Sequence, residues 1–480
     1  MKAAPGGPIV IIGAGPAGLG AALHLHRAGC RDWTVLERET VPGGLARSVT
    51  DPHGFAWDLG GHVVFSHYGL FSRLLDEWLG PEEWLWHERE SWVRVRGRWV
   101  PYPFQNNIHR LGPEDCAACL AGLIRAAIER PGRPPANFDE FITGTFGEGI
   151  AALFMRPYNE KVWGYPPARL APDWVADRVS VPDVVRVARQ VVLKGDDVAW
   201  GPNNRFRFPR SGGTGAIWSA AAAGLPPDRV RLGCQVVSLD SHARRLRLAG
   251  GEEVPYGSLI STMPLDRLAA VSGRRDWADL AAGLLHSSVH VVGLALSGAP
   301  TPSVGSKCWM YFPEEAVSFY RVTQFSRYSP RNVPNPGTQW SLLAEVSESP
   351  ERSVDAAGVV DSVIGGLAAD GLIEGRRQVL HTWHQRIEYA YPTPALGRDA
   401  ILERLQPALY EAGILSRGRF GAWRYEVGNM DHSFMQGAEA AAHLLRGIPE
   451  LTVWHPDVAN APHPVLGSGL PPQGPARRGV

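Results

Sequence analysis

Gly13, Gly15 and Gly18 follow directly on a β-branched run, residues 8–12 (PIVII), and lead into a helical stretch that extends to Ala28. A second apolar run, Trp33 to Leu36, ends at Glu37. Strand, glycine turn, helix, strand and acid, in that order, are the parts a dinucleotide site requires. Gly13 permits the tight turn, Gly15 lets backbone N–H groups approach a pyrophosphate, and Gly18 lets helix and strand pack closely. The helix N-terminus, with Ala17 in its first turn, offers the positive end of its dipole to the phosphates. Glu37 can accept hydrogen bonds from a ribose hydroxyl pair.

A second set of chemistry-bearing residues is spread along the chain. Tyr102, Phe104 and Gln105 fall in WVPYPFQNN, and Asn159, Lys161 and Trp163 fall in MRPYNEKVW. Arg178, Asn203, Tyr311, Arg321, Tyr328 and Tyr391 follow, then Arg419, Tyr425 and Asn429. Tyr102 and Phe104 could stack on a flat base, and Gln105 could read its edge through the amide. Arg178 and Arg321 could hold a diphosphate by charge-assisted, often bidentate, hydrogen bonds. Tyrosine hydroxyls can meet phosphate and sugar oxygens without adding charge. Each residue alone also has an ordinary packing reading, and Arg156 and Lys161 read equally as solvated charges. The conjunction of amides, tyrosines and arginines is what points to a ligand.

Residues 85–104 alternate apolar and polar and predict a β-hairpin that turns at Arg96 to Arg98. Glu114 to about Leu193 reads as helical, broken at Pro131, Pro134 and Pro135, with a second helical run from Phe138 to Tyr158. Leu259 to Met263 predicts a strand that closes the first sheet. His290 to Ser297, Ser341 to Ser347 and Val379 to Tyr391 predict strands of a second sheet. Ser416 to Gly447 predicts a glycine turn feeding a helix. The expected class is α/β, with a discontinuous Rossmann-type dinucleotide domain (1–85, 205–265 and 410–450). A helical domain (110–200) and an antiparallel-sheet substrate domain (86–109 and 266–409) are inserted into it, and 470–480 reads as a disordered tail.

The 480 residues carry 48 basic and 48 acidic side chains, a formal net charge of zero. That balance argues against nucleic acid as a partner. Only four of the basic residues are Lys, which leaves 44 Arg, the better fork for phosphates. No apolar run reaches the ~20 residues of a membrane span. No charged n-region with a long apolar run opens the chain, so a membrane is not expected and a cytoplasmic location is. Five scattered Cys imply no disulfide framework, and Cys116 and Cys119 read as helix core, not as a redox pair. No metal site is expected.

Gly43-Gly44-Leu45 and Asp58-Leu59-Gly60-Gly61-His62, beyond the acid, resemble the amine-oxidase-like FAD superfamily, where a second glycine pair lets backbone pass close to the ring system. The cofactor implied is FAD. Seven segments in order resemble UDP-galactopyranose mutase in its eukaryotic, fungal-type branch: GGHVVFSHY, WVPYPFQNNI, LFMRPYNEKVW, FRFPRSGGTGAIW, EVSES, YPTP and SRGRFGAWRYEVGNMDHSFM. The resemblance covers residues 10–452 and implies a FAD domain, a helical domain and a six-stranded sheet domain. It implies that Arg178 and Arg321 grip a diphosphate, helped by Tyr311, Tyr328, Tyr391 and Tyr425. Tyr102, Phe104, Gln105, Asn159 and Trp163 would hold the uridine end, with Asn203 in a flap near the nucleotide sugar. Gly44, Leu45, Gly60, Gly61, His62, Val236, Arg419, Asn429 and Ser433 would lie along FAD. Arg89 and Ser91 would contact NAD(P)H, the reductant. Met430 stands where a glutamine is expected and removes a polar partner near the flavin.

The reaction implied interconverts UDP-galactopyranose and UDP-galactofuranose with no net redox change, as in galactofuranose biosynthesis. It is covalent catalysis by N5 of the reduced flavin, with Gly61 or His62 beside N5 and the two arginines stabilising the departing diphosphate. A mutase for another UDP-sugar fits the same uridine motif. An amine-oxidase-like FAD oxidoreductase shares the glycine module but has little use for paired arginines and a uridine clamp. Oligomeric state stays open.

Overall fold

The computed structural model describes residues 7–129, 132–175, 178–198, 201 and 204–460. Asn203 and the tail expected at 470–480 lie outside them. A five-stranded parallel sheet runs in the order Ile414–Ser416, Ser258–Ser261, Ile9–Ile12, Trp33–Leu36, Val230–Arg231. The two innermost strands, IVII and SLIS, are buried along their whole length, as strands covered on both faces must be. Ile9 pairs with Trp33 on one side and Ser258 on the other. The strand expected to close the sheet thus lies inside it, and Ile414–Ser416 takes the outer place.

Helices cover both faces. On one, Pro16–Arg27 and Met430–Arg446 cross so closely that glycines mark the contact. A Cβ on Gly20 would meet the Phe434 carbonyl, and one on Gly437 would meet the Ala17 carbonyl. On the other face, Leu268, Trp277, Leu402 and Leu405 share a core with Val10 and Ile12. They come from the helices Leu265–Val271, Arg275–Ala281 and Arg398–Glu411. All three fall almost wholly in the stretch 266–409 expected with the antiparallel sheet. Their apolar faces pack instead against the parallel sheet, whose second face would otherwise be bare.

The second sheet has seven strands where the resemblance implied six. Its order is Val379–Pro392, His286–Ser297, Gln339–Glu348, Arg321–Gln324, Trp309–Tyr311, Ser91–Val95, Arg98–Pro101. All its ladders are antiparallel except that between Trp309–Tyr311 and Ser91–Val95. The hairpin turns at Arg96 and Gly97, both with positive φ, the conformation a two-residue hairpin favours. It begins only at Ser91, because Trp84–Glu88 leaves to pair with Arg205–Pro209.

The helical unit contains Pro113–Glu129, Phe138–Ile150, a π turn at Ala151–Met155, then Arg156–Trp163 and Val184–Leu193. The Asn137 side chain caps the second helix by accepting from the Glu140 N–H at 2.9 Å. Cys119 packs in the core with Leu123, Phe138 and Ile142, and burial pushes its thiol up to about 12. Among the described residues no helix is long and apolar enough to cross a membrane.

Replacing Gly437 with Val drives a branched side chain into the Ala17 backbone at the helix crossing. It should lower stability by about 3 kcal/mol, the upper range for overpacking, read as a lower urea midpoint. An unchanged midpoint would show that the two helices do not need their close approach.

Candidate active site

One cleft of about 1150 Å³ opens where the parallel-sheet, helical and seven-stranded units meet. That exceeds the ~300–1,000 Å³ usual for a single small ligand. At one end lies the glycine turn. Gly13 has φ +100, and a Cβ there would strike the Thr262 hydroxyl. Gly15 is the N-cap of the first helix and brings no side-chain cap, so the first-turn N–H groups remain open to a ligand. Gly15, Ala17, Gly44 and Leu45 line the cleft, whereas Gly18 lies beneath it against Gly13. The Glu37 carboxylate is fixed at the rim, accepting from the Ala14 N–H at 2.7 Å and the Glu39 N–H at 2.9 Å. Val236 stands on the neighbouring wall. An open helix terminus, a backbone-only cradle and an anchored acid fit the pyrophosphate and ribose of FAD.

Leu59 to His62 line the cleft, with Asp58 buried behind them. Asp58 is fully buried and accepts from the Thr214 hydroxyl at 2.9 Å and from Ser48. Burial pushes its carboxyl up to about 7. The glycines that follow are held at both ends: the His62 N–H donates to the Gly60 carbonyl at 2.8 Å, and the Gly61 N–H donates to Glu345 at 2.9 Å. Burial brings His62 down to about 4, with Arg321 and Arg419 adding to the effect and Glu345 opposing it. His62 is therefore neutral at pH 7.

Arginines gather at the far end, each already aimed by the protein. Arg178 donates to the Glu426 carbonyl at 2.9 Å and to Asn429 Oδ1 at 3.3 Å, over the ring of Tyr425 at 4.5 Å. Arg321 forms a two-pronged ion pair with Glu345, at 2.9 and 2.7 Å. Arg419 donates to the carbonyls of Ala390 and Gly428 and lies 5.1 Å over Tyr391. Arg89 lies 5.1 Å over Tyr102. All four line the same cleft, as do Asn429 and Ser433.

Tyr102, Gln105, Asn159, Trp163, Tyr311, Tyr391 and Tyr425 also line it. Trp163 stands edge-on to Tyr425 at 4.8 Å and to Trp174 at 5.1 Å. The Gln105 amide donates to the Ser180 carbonyl, which fixes the side chain and leaves its Oε1 without a partner among the described residues. Three expected contacts lie elsewhere. Phe104 is 0% exposed and packs on Phe154 at 4.9 Å, so it supports the cleft from below and cannot stack on a base. Tyr328 is 0% exposed, wedged against Phe206 and Phe208 behind the wall. Ser91 is buried in its strand, where its carbonyl accepts from the Tyr102 N–H.

The cleft also contains residues to which sequence reasoning gave no role of their own: Glu345, Tyr320, Tyr158 and Trp174. Register alone pairs Arg321 with Glu345 across adjacent strands, so an opposite-charge pair at matched strand positions was the available signal. Lys161 is no solvated charge. It is 1% exposed, and its Nζ donates to the carbonyls of Glu314, Val317 and Phe319, which ties down the segment leading to Arg321. Burial lowers it to about 7.

At the cleft wall, Asp431 accepts from the His67 ring at 2.8 Å, and His432 stacks behind on that ring at 4.6 Å. His432 is 0% exposed, and burial brings it down to about 3. An unfolded histidine takes its proton near pH 6.5. The stability His432 contributes is present above that pH and is lost as pH falls toward 3. For apoprotein, the step from pH 7 to pH 5 should cost about 2 kcal/mol through this residue alone. His432→Gln should remove that part of the slope in urea titrations; an identical pH profile would refute it.

The flavin-containing amine oxidoreductase family model matches residues 16–445. A phytoene dehydrogenase from Streptomyces griseus is 54% identical over 56 residues, 12% of this chain and 11% of that protein. A reduced UDP-galactopyranose mutase of known structure is 47% identical and superposes with a TM-score of 0.92, over 95% of this chain and 97% of that one. A fatty acid isomerase from P. acnes (TM-score 0.63, 15% identity, 92% of this chain and 99% of that one) shares the fold. With near-complete coverage at that level of identity, the chain belongs to the UDP-galactopyranose mutases within the flavin-containing amine oxidoreductase family.

Proposed function

We propose that this chain is a flavin-dependent isomerase that interconverts UDP-galactopyranose and UDP-galactofuranose without net redox change, and that it belongs to the fungal-type branch. The observation that carries this reading is the placement of Arg178 and Arg321 in one cleft with a backbone-built dinucleotide end. An oxidase of a neutral or cationic substrate has no use for that pair, whereas a departing diphosphate needs it. The seven sequence segments and the 47% identical mutase support the same reading.

Gly13, Gly15, Glu37, Gly44, Val236, Arg419 and Asn429 would hold FAD. Bound and reduced, it supplies a nucleophilic N5 for the anomeric carbon. The chain's own work is on the leaving group. Arg178 and Arg321 offset the charge that develops on the diphosphate as the C–O bond breaks. They do so without reorganising, because Asn429 and the Glu426 carbonyl fix one and Glu345 fixes the other. Tyr311, Tyr391 and Tyr425 offer hydroxyls around them. Keeping the nucleotide bound while detached makes its return effectively intramolecular. Gln105 Oε1, a buried acceptor without a partner among the described residues, suits the N3–H of a uracil, and Trp163 with Asn159 flanks that end. Arg89, at the cleft wall over Tyr102, is the residue that would meet NAD(P)H, while buried Ser91 acts through the backbone.

Incubation with UDP-galactopyranose should give a furanose product only after reduction by dithionite or NAD(P)H. Arg178→Ala and Arg321→Ala should each retain FAD and lose more than ~100-fold in turnover, the scale of removing one transition-state charge partner. Near-native turnover in either variant would sink the diphosphate assignment. Product from a different UDP-sugar alone would redirect the substrate.

A further inference from the structure

Glu345 is a buried carboxylate on the strand Gln339–Glu348, 2% exposed, and the diphosphate chemistry gives it no direct task. Four donors converge on it. Arg321 Nε reaches Oε1 at 2.9 Å and Arg321 Nη2 reaches Oε2 at 2.7 Å. The Tyr320 hydroxyl donates to Oε2 at 2.6 Å, and the Gly61 N–H donates to Oε1 at 2.9 Å. One oxygen, Oε1, is thus shared between the guanidinium and the peptide of the glycine loop. Gly61, His62, Arg321 and Glu345 all face the cleft. Thr323 and Trp309 close in behind, since a Cβ on Gly61 would strike the Thr323 hydroxyl.

A dinucleotide with its pyrophosphate at Gly13 and its ribose at Glu37 runs on toward this glycine loop. We infer that Glu345 is a positioning residue that ties Arg321 to the loop and cancels its charge beside the flavin, so that a neutral pair, not a lone guanidinium, faces the ring. The inference rests on the FAD reading of the cleft but on no particular sugar. Its physical basis is that charge in a poorly solvated site acts strongly on a neighbour that gains an electron. A lone cation there raises the reduction potential of the bound flavin, and a lone anion lowers it.

The test is the midpoint potential of bound FAD, read by spectroelectrochemistry on the holoenzyme without any nucleotide sugar. Glu345→Gln should shift the potential upward and Arg321→Gln downward. The double variant should return it to the native value, and Glu345→Asp, which keeps the charge, should stay close to native. Loss of packing alone would not produce opposite shifts that cancel. Native potentials in both single variants, with FAD bound, would overturn the inference. Glu345→Gln leaves a buried guanidinium unpaired and so risks the fold. In that event Arg321→Gln against the double variant decides: a downward shift that the second substitution reverses supports the inference, and one that it leaves in place overturns it. If the native protein makes no furanose product, the proposed function fails while these potentials still read out the pair.

Discussion

The close crossing of the helices Pro16–Arg27 and Met430–Arg446 is the constraint on which the site depends. It lays the C-terminal part of the chain over the N-terminal glycine turn. Buried Gln436, on the second helix, then staples the segment between: it accepts from the Gly418 N–H and donates to the Val427 carbonyl, both at 2.8 Å. With both ends of its amide satisfied, the group costs little to bury. Arg419, Tyr425 and Asn429 are carried on that stapled segment. Without the close contact of the two helices they would have no fixed relation to the turn at Gly13.

Charge burial follows one rule throughout the cleft. Arg89, Arg178, Arg321 and Arg419 each have a carboxylate, a carbonyl or a ring to receive them, since an unpaired buried charge is prohibitively costly. The Arg178 contact rests on a deeper pair. The carbonyl it binds belongs to Glu426, whose carboxylate is held by Arg398 at 2.9 and 3.0 Å, and Asn460 donates to the same carbonyl. A residue of the helical unit is in this way tied to the parallel-sheet unit by backbone that an ion pair has already fixed. The zero net charge of the chain is compatible with a cluster of arginines in the cleft because only Arg321 meets its carboxylate, Glu345, at the cleft wall, whereas Arg178 and Arg419 are held there by carbonyls.

How much of this could be read in the sequence depended on how local the physics was. The glycine turn is specified within a few residues: Gly13 needs its positive φ, and the acid follows at the end of the next strand. Its function was legible for that reason. Phe104 was misread because strand alternation places it on the face of Tyr102. The 3-10 turn at Phe104–Asn106 breaks that alternation and sends the ring into the helical core. Lys161 and Glu345 were invisible in their roles because their partners lie far along the chain. A lysine that caps three carbonyls beyond residue 313 has no local mark to set it apart from a solvated one. The sharing of a single carboxylate oxygen by Arg321 and Gly61 exists only once two units have met.

The place of Ile414–Ser416 at the outer edge of the parallel sheet has a consequence for synthesis. Ile9–Ile12 leaves the ribosome early but finds only Trp33–Leu36 as a partner. Its other neighbour, Ser258–Ser261, arrives only after the helical unit, and the strand beyond that, Ile414–Ser416, only after the seven-stranded unit has been made as well. Such long-range closure is slow and leaves apolar strand edges waiting. A nascent chain can therefore fold its inserted units first, and it can take up its cofactor only when translation is nearly finished.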